Sequence, residues 1–179
     1  MEIKNHTLIS AEQVASPNAD NRPDANDISL IVIHCISLPE GCFDTAHIKQ
    51  LFCNQLKAED HPSFDAICGL KVSSHIVISR TGKITQYVPF NKRAWHAGLS
   101  SYQGRTHCND FSIGIELEGT DHSAYTNEQY TQLSALIKSL IQNYPSLNAD
   151  HITGHSDIAP QRKTDPGDFF DWDLLKSTL

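Results

Sequence analysis

Apolar and polar residues fall in blocks along the chain, and most blocks carry a period. Ser29-Leu-Ile-Val-Ile-His34 is a β-branched apolar run, which predicts a strand buried on both faces. Leu38-Pro39-Glu40-Gly41 breaks it. Between Thr45 and Leu56, the residues Ile48, Leu51, Phe52 and Leu56 stand at helical spacing and predict a short helix. Residues 57–70, with His61-Pro62 and Gly69, read as loop. Val72 to Ser79 and Lys83 to Val88 are strand-like, joined by Arg80-Thr81-Gly82, a length that suits a hairpin. Residues 91–110 are polar and read as a long functional loop. Phe111 to Glu118 alternates and predicts another strand. Thr126-x-x-Gln129 is a capping box. Behind it Tyr130, Leu133, Leu136, Ile137, Leu140, Ile141 and Tyr144 form one helical stripe, stopped by Pro145. Ile152-Thr-Gly-His155, an Asp- and Pro-rich loop and a brief terminal helix complete the chain. Residues 1–27 are polar, carry Pro17 and Pro23, and read as an irregular arm. Strands and helices interleave without repeat or linker, so the expectation is one mixed α/β domain over 1–179.

Composition narrows the function. The 179 residues are 39% hydrophobic and 20% charged, ordinary for a soluble globular protein. Fourteen Lys plus Arg against 21 Asp plus Glu give a net charge of −7, which argues against a nucleic-acid surface. Runs such as Leu30 to Ile33 are far short of the roughly 20 residues a bilayer requires. The first residues have no apolar core of signal-peptide type. Five cysteines (Cys35, Cys42, Cys53, Cys68, Cys108) include no C-x-x-C pair, and an odd count suits free thiols in a reducing cytoplasm. Ten histidines suggest metal or proton chemistry.

His34 sits where a buried strand ends, a place where α/β proteins put functional groups. Taken alone, it is better read as a core histidine satisfied by a carbonyl. The stretch Gly154-His155-Ser-Asp-Ile-Ala-Pro-Gln-Arg162-Lys163-Thr-Asp165-Pro-Gly167 says more, because such a loop can fold back and bring His155 to Asp165. Two imidazoles and a carboxylate with an open position form a hydrolytic zinc pattern. His151 with His155 at i, i+4 competes, although Gly154 between them weakens a helix. Glu116 and Glu118 share a strand face, either as a solvated pair or with one acting as proton shuttle. Trp95-His96-Ala97-Gly98 offers an aromatic platform or a packing tryptophan, and Arg162 and Lys163 next to a carboxylate read, on their own, as an ordinary surface ion pair worth little energy.

Taken together, these pieces resemble the AmpD-type N-acetyl-anhydromuramoyl-L-alanine amidases, within the wider zinc amidase and peptidoglycan-recognition superfamily. The matching stretches include Ser29-Leu-Ile-Val-Ile-His34, Val72-Ser-x-His75, Gln86-Tyr-Val-Pro-Phe90 and Lys92-Arg-Ala-Trp-His-Ala-Gly98. Cys108-Asn-Asp-Phe-Ser-Ile-Gly-Ile-Glu-Leu-Glu-Gly119, Thr153-Gly-His155, Arg162-Lys-Thr-Asp-Pro-Gly167 and Phe170-Asp-Trp172 continue the match in order along nearly the whole chain.

The resemblance implies a central mixed β-sheet with helices packed on it and Zn2+ held by His34, His155 and Asp165. It makes Glu116 the general base or acid and Lys163 the electrostatic partner. The implied reaction is hydrolysis of the amide between anhydro-N-acetylmuramic acid and the L-alanine of a stem peptide, a step of cytoplasmic cell-wall recycling. The implied partner is a small soluble muropeptide, with no nucleic acid, membrane or obligatory protein partner. Trp95, Arg162, Lys71 and His107 are the expected substrate contacts, with Arg105 as a further candidate cation. Three positions depart from the pattern: Cys35 replaces the usual Asn, and Lys71 and His107 stand where arginine is expected. Glu118 is expected at a solvated edge, where its removal costs little. A non-catalytic muropeptide-binding module of the same fold is the alternative, and an extracellular lytic amidase is a second rival.

Overall fold

The computed structural model describes residues 1–179. Six strands build the central sheet: Glu12–Gln13 (β1), Leu30–Ile36 (β2), Ile76–Ile78 (β3), Ile84–Gln86 (β4), Ser112–Glu118 (β5) and Ile152–Gly154 (β6). Their spatial order is β6-β2-β5-β3-β4-β1. The first four run parallel, β4 turns back along β3 as a hairpin, and β1 lies parallel to β4. Four helices accompany the sheet: His47–Phe52 (α1), Asn127–Asn143 (α2), His155–Ile158 (α3) and Trp172–Ser177 (α4). The mixed sheet with packed helices is the fold the resemblance implied.

Period-2 geometry sorts the strand side chains into a dry face and a working face. Ile31 and Ile33 of β2, with Ile113, Ile115 and Leu117 of β5, join Leu133, Leu136, Ile137 and Leu140 of α2 in the largest core. Each such buried side chain contributes roughly 1.5–3 kcal/mol. Leu30 and Val32 point the other way, into a cluster with Ala97, Cys108 and Phe111, and His34 continues that row. Ser112, Gly114, Glu116 and Glu118 occupy the same side of β5. Farther along that side, α1 contributes Ile48, Leu51 and Phe52 to a third cluster with Val77 and Tyr87.

The cap of α2 is the predicted one, with Gln129 N–H donating to Thr126 Oγ1 at 3.1 Å and Thr126 N–H to Gln129 Oε1 at 3.0 Å. Elsewhere the elements are shorter than the pattern suggested. Helix α1 stops at Phe52, just before Asn54 takes a left-handed backbone with φ 58°. Strand β3 begins only at Ile76, because Ser73 and Ser74 hydroxyls donate to the carbonyls of Asn18 (2.7 Å) and Ile76 (2.9 Å). The arm 1–27 is more ordered than expected. It forms an Ile3–Lys4/Thr7–Leu8 ribbon, the edge strand β1, and Ala19–Asn21, which pairs with Lys92–Ala94. The stretch 91–110 likewise holds a small ribbon, Ser101–Tyr102 against Arg105–Thr106, and residues 57–70 hold two 3-10 turns with Phe64 buried.

Candidate active site

Three neighbouring parallel strands, β6, β2 and β5, open their carboxyl ends on one side, the usual place for a site in an open α/β sheet. His34 lies near the end of β2, and Glu116 is its register partner on β5. Gly154 of β6 pairs with Ile33, so the next residue, His155, emerges beside His34. Asp165 returns from the following loop, with its carbonyl accepting from Ser156 N–H at 2.9 Å.

The result is a tight triangle. His34 Nδ1 lies 2.9 Å from His155 Nδ1, and each is 3.0 Å from Asp165 Oδ2. His155 Nε2 donates to the Ala97 carbonyl at 3.1 Å, which leaves Nδ1 a bare lone pair aimed at Asp165. Burial pushes His34 down to about 4, outweighing the opposing pull of the Asp165 carboxylate, so its imidazole is neutral at pH 7. Burial alone would raise the Asp165 carboxyl, but the His155 and His34 rings beside its Oδ2 hold it below the usual range. A bare ring nitrogen at His155 Nδ1 and the Asp165 carboxylate oxygen repel at 3.0 Å unless a cation draws them together. The three residues can hold a metal ion, and the donor set fits a divalent ion of the zinc kind.

Glu116 has the opposite character. Burial drives its carboxyl well above the ordinary range, Asp165 adds to the rise and Lys163 opposes it. Its Oε2 is buried without a hydrogen-bond partner. A carboxyl so placed is suited to taking and returning a proton. Glu118, two residues on, departs from expectation. It is 4% exposed, and its Oε1 and Oε2 accept from the backbone N–H groups of Asp44 (2.6 Å) and Arg80 (3.0 Å). It is a structural carboxylate, not a solvated edge.

His34, Glu116, His155, Lys163 and Asp165 line one cavity of about 430 Å³, walled on its apolar side by Phe52, Leu70 and Val72. Cys35 and Asp121 share that lining, and Cys35 Sγ donates to Asp121 Oδ1 at 3.0 Å. Arg162 lines it too, while its Nη2 donates to the carbonyls of Ala97 (2.6 Å) and Leu99 (2.7 Å). Lys71 is exposed between two wall residues. The structure does not bring Trp95 or His107 to the cavity. Trp95 follows directly on the Lys92–Ala94 strand of the 19–21/92–94 ribbon, and its main chain pairs with Ser73, whose N–H donates to the Trp95 carbonyl at 3.1 Å. His107 is exposed on a left-handed turn, φ 60°. Arg105 pairs with Asp27 and stacks over Phe111 at 3.7 Å. His151 is also outside the cavity, its Nδ1 3.3 Å from the Ser146 carbonyl, so the i, i+4 alternative is not assembled.

His96 is the residue that sequence reasoning missed. It lines the cavity, and its Nδ1 faces His34 Nε2 at 2.9 Å. The signal was Gly114, a glycine amid the apolar residues of β5, which marks a close approach. A Cβ there would stand 2.5 Å from His96 Cγ.

Comparison with known proteins agrees with this geometry. The family model described as N-acetylmuramoyl-L-alanine amidase matches residues 24–168. The chain is 57% identical over 172 residues to the 1,6-anhydro-N-acetylmuramyl-L-alanine amidase AmpD of Salmonella typhimurium, covering 96% of this chain and 91% of that one. A crystal structure of a selenomethionine AmpD derivative superposes with a TM-score of 0.97 at 53% identity, covering 100% and 99% of the two chains. The amidase AmiD of Escherichia coli, in complex with anhydro-N-acetylmuramic acid-L-Ala-D-gamma-Glu-L-Lys, superposes with a TM-score of 0.62 at 32% identity. That match covers 85% of this chain and 57% of AmiD.

Proposed function

The chain belongs to the N-acetylmuramoyl-L-alanine amidase family and is an amide hydrolase, and from that premise we propose that it cleaves the bond between anhydro-N-acetylmuramic acid and L-alanine in a soluble muropeptide. One observation carries the proposal to individual residues: the His34–His155–Asp165 triangle and the unpartnered Glu116 Oε2 share a cavity. His34, His155 and Asp165 would hold Zn2+. Bound there, zinc supplies Lewis acidity toward the amide carbonyl and lowers the pKa of water.

The remaining work falls to side chains. Glu116 takes the proton of the attacking water at its carboxylate and returns it to the departing amine of L-alanine. Its buried setting keeps the carboxyl's proton affinity high enough for both steps. Lys163 places its ammonium toward the oxyanion that develops on the carbonyl oxygen, a donor role typically worth about 3 kcal/mol. Arg162 and Lys71, at the cavity's lining and rim, are the proposed contacts for stem-peptide carboxylates. They offset locally the net charge of −7. Five free cysteines suit a reducing compartment, which supports a cytoplasmic placement. No helix is long and apolar enough to cross a membrane.

The test combines metal analysis with product analysis. The purified protein should bind one zinc ion and convert an anhydro-muropeptide into anhydro-N-acetylmuramic acid and a peptide with a free L-alanine amine, read by mass spectrometry. Muropeptide binding without zinc or cleavage would favour the binding module instead. Faster release from intact sacculi than from soluble anhydro-muropeptide would overturn the substrate assignment.

A further inference from the structure

Both imidazoles of the triangle lean on one dipeptide outside it. His34 Nε2 meets His96 Nδ1 at 2.9 Å, and His155 Nε2 meets the Ala97 carbonyl at 3.1 Å. A carbonyl only accepts, so His155 carries its proton on Nε2 and presents a lone pair at Nδ1. His96 Nε2 lies 3.0 Å from Ser112 Oγ, a hydroxyl free to accept, and the relay runs from His34 through His96 to Ser112. Ala97 therefore sets the proton placement of the His155 ring, and His96 holds the His34 ring in place.

A single side-chain oxygen holds that dipeptide. Asn109 Oδ1 accepts from His96 N–H at 3.1 Å and from Ala97 N–H at 2.7 Å. Asn109 is anchored in turn, its own carbonyl accepting from Nη1 of the buried Arg22 at 3.2 Å. Gly114 leaves the space the His96 ring occupies.

We propose that Asn109 is a positioning residue for the metal centre, fixing the placement of His34 and the orientation and tautomer of His155 through the backbone of His96-Ala97. The inference rests on the metal reading above. Asn109 touches neither ring, so its effect must appear in metal affinity and tautomer before it appears in chemistry. Losing one such outer support typically costs about 10–100-fold in metal affinity.

The experiment uses the full chain as wild type, Asn109→Ala and Asn109→Asp. Zinc affinity is read by competition with a chromogenic chelator, and histidine tautomers by 15N NMR of the metal-free proteins. Wild type should show His155 protonated on Nε2. Asn109→Ala should weaken zinc binding by about 10–100-fold and mix the His155 tautomers. Asn109→Asp keeps an oxygen for both N–H groups and should restore both readouts toward wild type, which a general packing defect would not do. A folded Asn109→Ala protein with wild-type zinc affinity and one tautomer overturns the inference. So does an Asp variant as impaired as the Ala variant. Should Asn109→Ala not fold, wild-type His155 protonated on Nδ1 would overturn it without any variant. A wild-type protein that binds no zinc defeats the metal reading instead, and the tautomer measurement still judges the role of Asn109.

Discussion

Replacing Glu118 and Glu116, neighbours on one face of β5, should move stability in opposite directions. Each carboxylate is buried, at 4% and 8% exposure, yet their surroundings differ. Glu118 satisfies two backbone N–H groups, those of Asp44 at 2.6 Å and Arg80 at 3.0 Å. Glu118→Ala removes both hydrogen bonds, and one made to a carboxylate typically contributes about 1.5–3 kcal/mol. Part of that is offset because a buried carboxylate no longer needs desolvating, so the net loss should be about 2–4 kcal/mol. With a urea m-value of about 2 kcal/mol/M, the midpoint falls by about 1–2 M. Glu116 Oε2 has no partner to lose. Glu116→Gln removes a carboxyl whose burial disfavours its ionisation and should hold or raise the midpoint while reducing kcat about 10²–10⁴-fold. The assay is urea unfolding of the metal-free variants at pH 7, with turnover of the zinc-loaded proteins measured well below the transition. A Glu118→Ala protein that unfolds at the wild-type midpoint would refute the reasoning, as would a Glu116→Gln protein that is destabilised or turns over normally.

Other expectations follow from the same geometry. Folding raises the Glu116 carboxyl, so the folded chain keeps a proton that the unfolded chain has released. The resulting penalty is absent below the unfolded pKa and grows as pH climbs through the folded one, so the stability gain of Glu116→Gln should be larger at about pH 8 than at about pH 4. Equal gains at both pH values, in metal-free protein, would contradict it. Gly114→Ala places a Cβ 2.5 Å from His96 Cγ and should cost about 1–3 kcal/mol by overpacking, with weakened zinc binding, both readable by unfolding and chelator competition. Gly167→Ala combines φ +84° with a Cβ that would overlap the Asp121 carbonyl oxygen, so the 163–167 segment should shift and turnover fall. His34→Ala, His155→Ala and Asp165→Ala should each abolish activity and zinc retention, and stoichiometric zinc in any of them removes that residue from the ligand set.

Where local rules decide, the chain was readable. Strand β2 has no polar residue before His34, and α2 announces itself by Thr126, Gln129 and a stripe ended by Pro145. Where a distant backbone group decides, it was not. Nothing near Glu118 in sequence reveals that Asp44 and Arg80 supply its donors. Ser73 and Ser74 look like strand residues until their hydroxyls find other carbonyls. The triangle depends on Asp165 returning over a loop whose path spacing alone left open, so the resemblance, not the periodicity, singled out His34 over His151. His96 was hidden for the same reason, because its partners Ser112 and His34 come from different strands.

The pairing of His34 with Glu116 across the β2–β5 ladder has a consequence for how such a protein can diversify. Their separation is inherited from main-chain hydrogen bonding, which no side-chain replacement alters directly. The cavity walls at Leu70 and Val72, and the Lys71 between them, sit in a connecting segment that the ladder does not constrain. Those walls can vary in sequence while the spacing of Glu116 and His34, the proposed proton carrier and metal-facing ring, stays constant. A change of walls therefore leaves the backbone frame of the proposed chemistry in place.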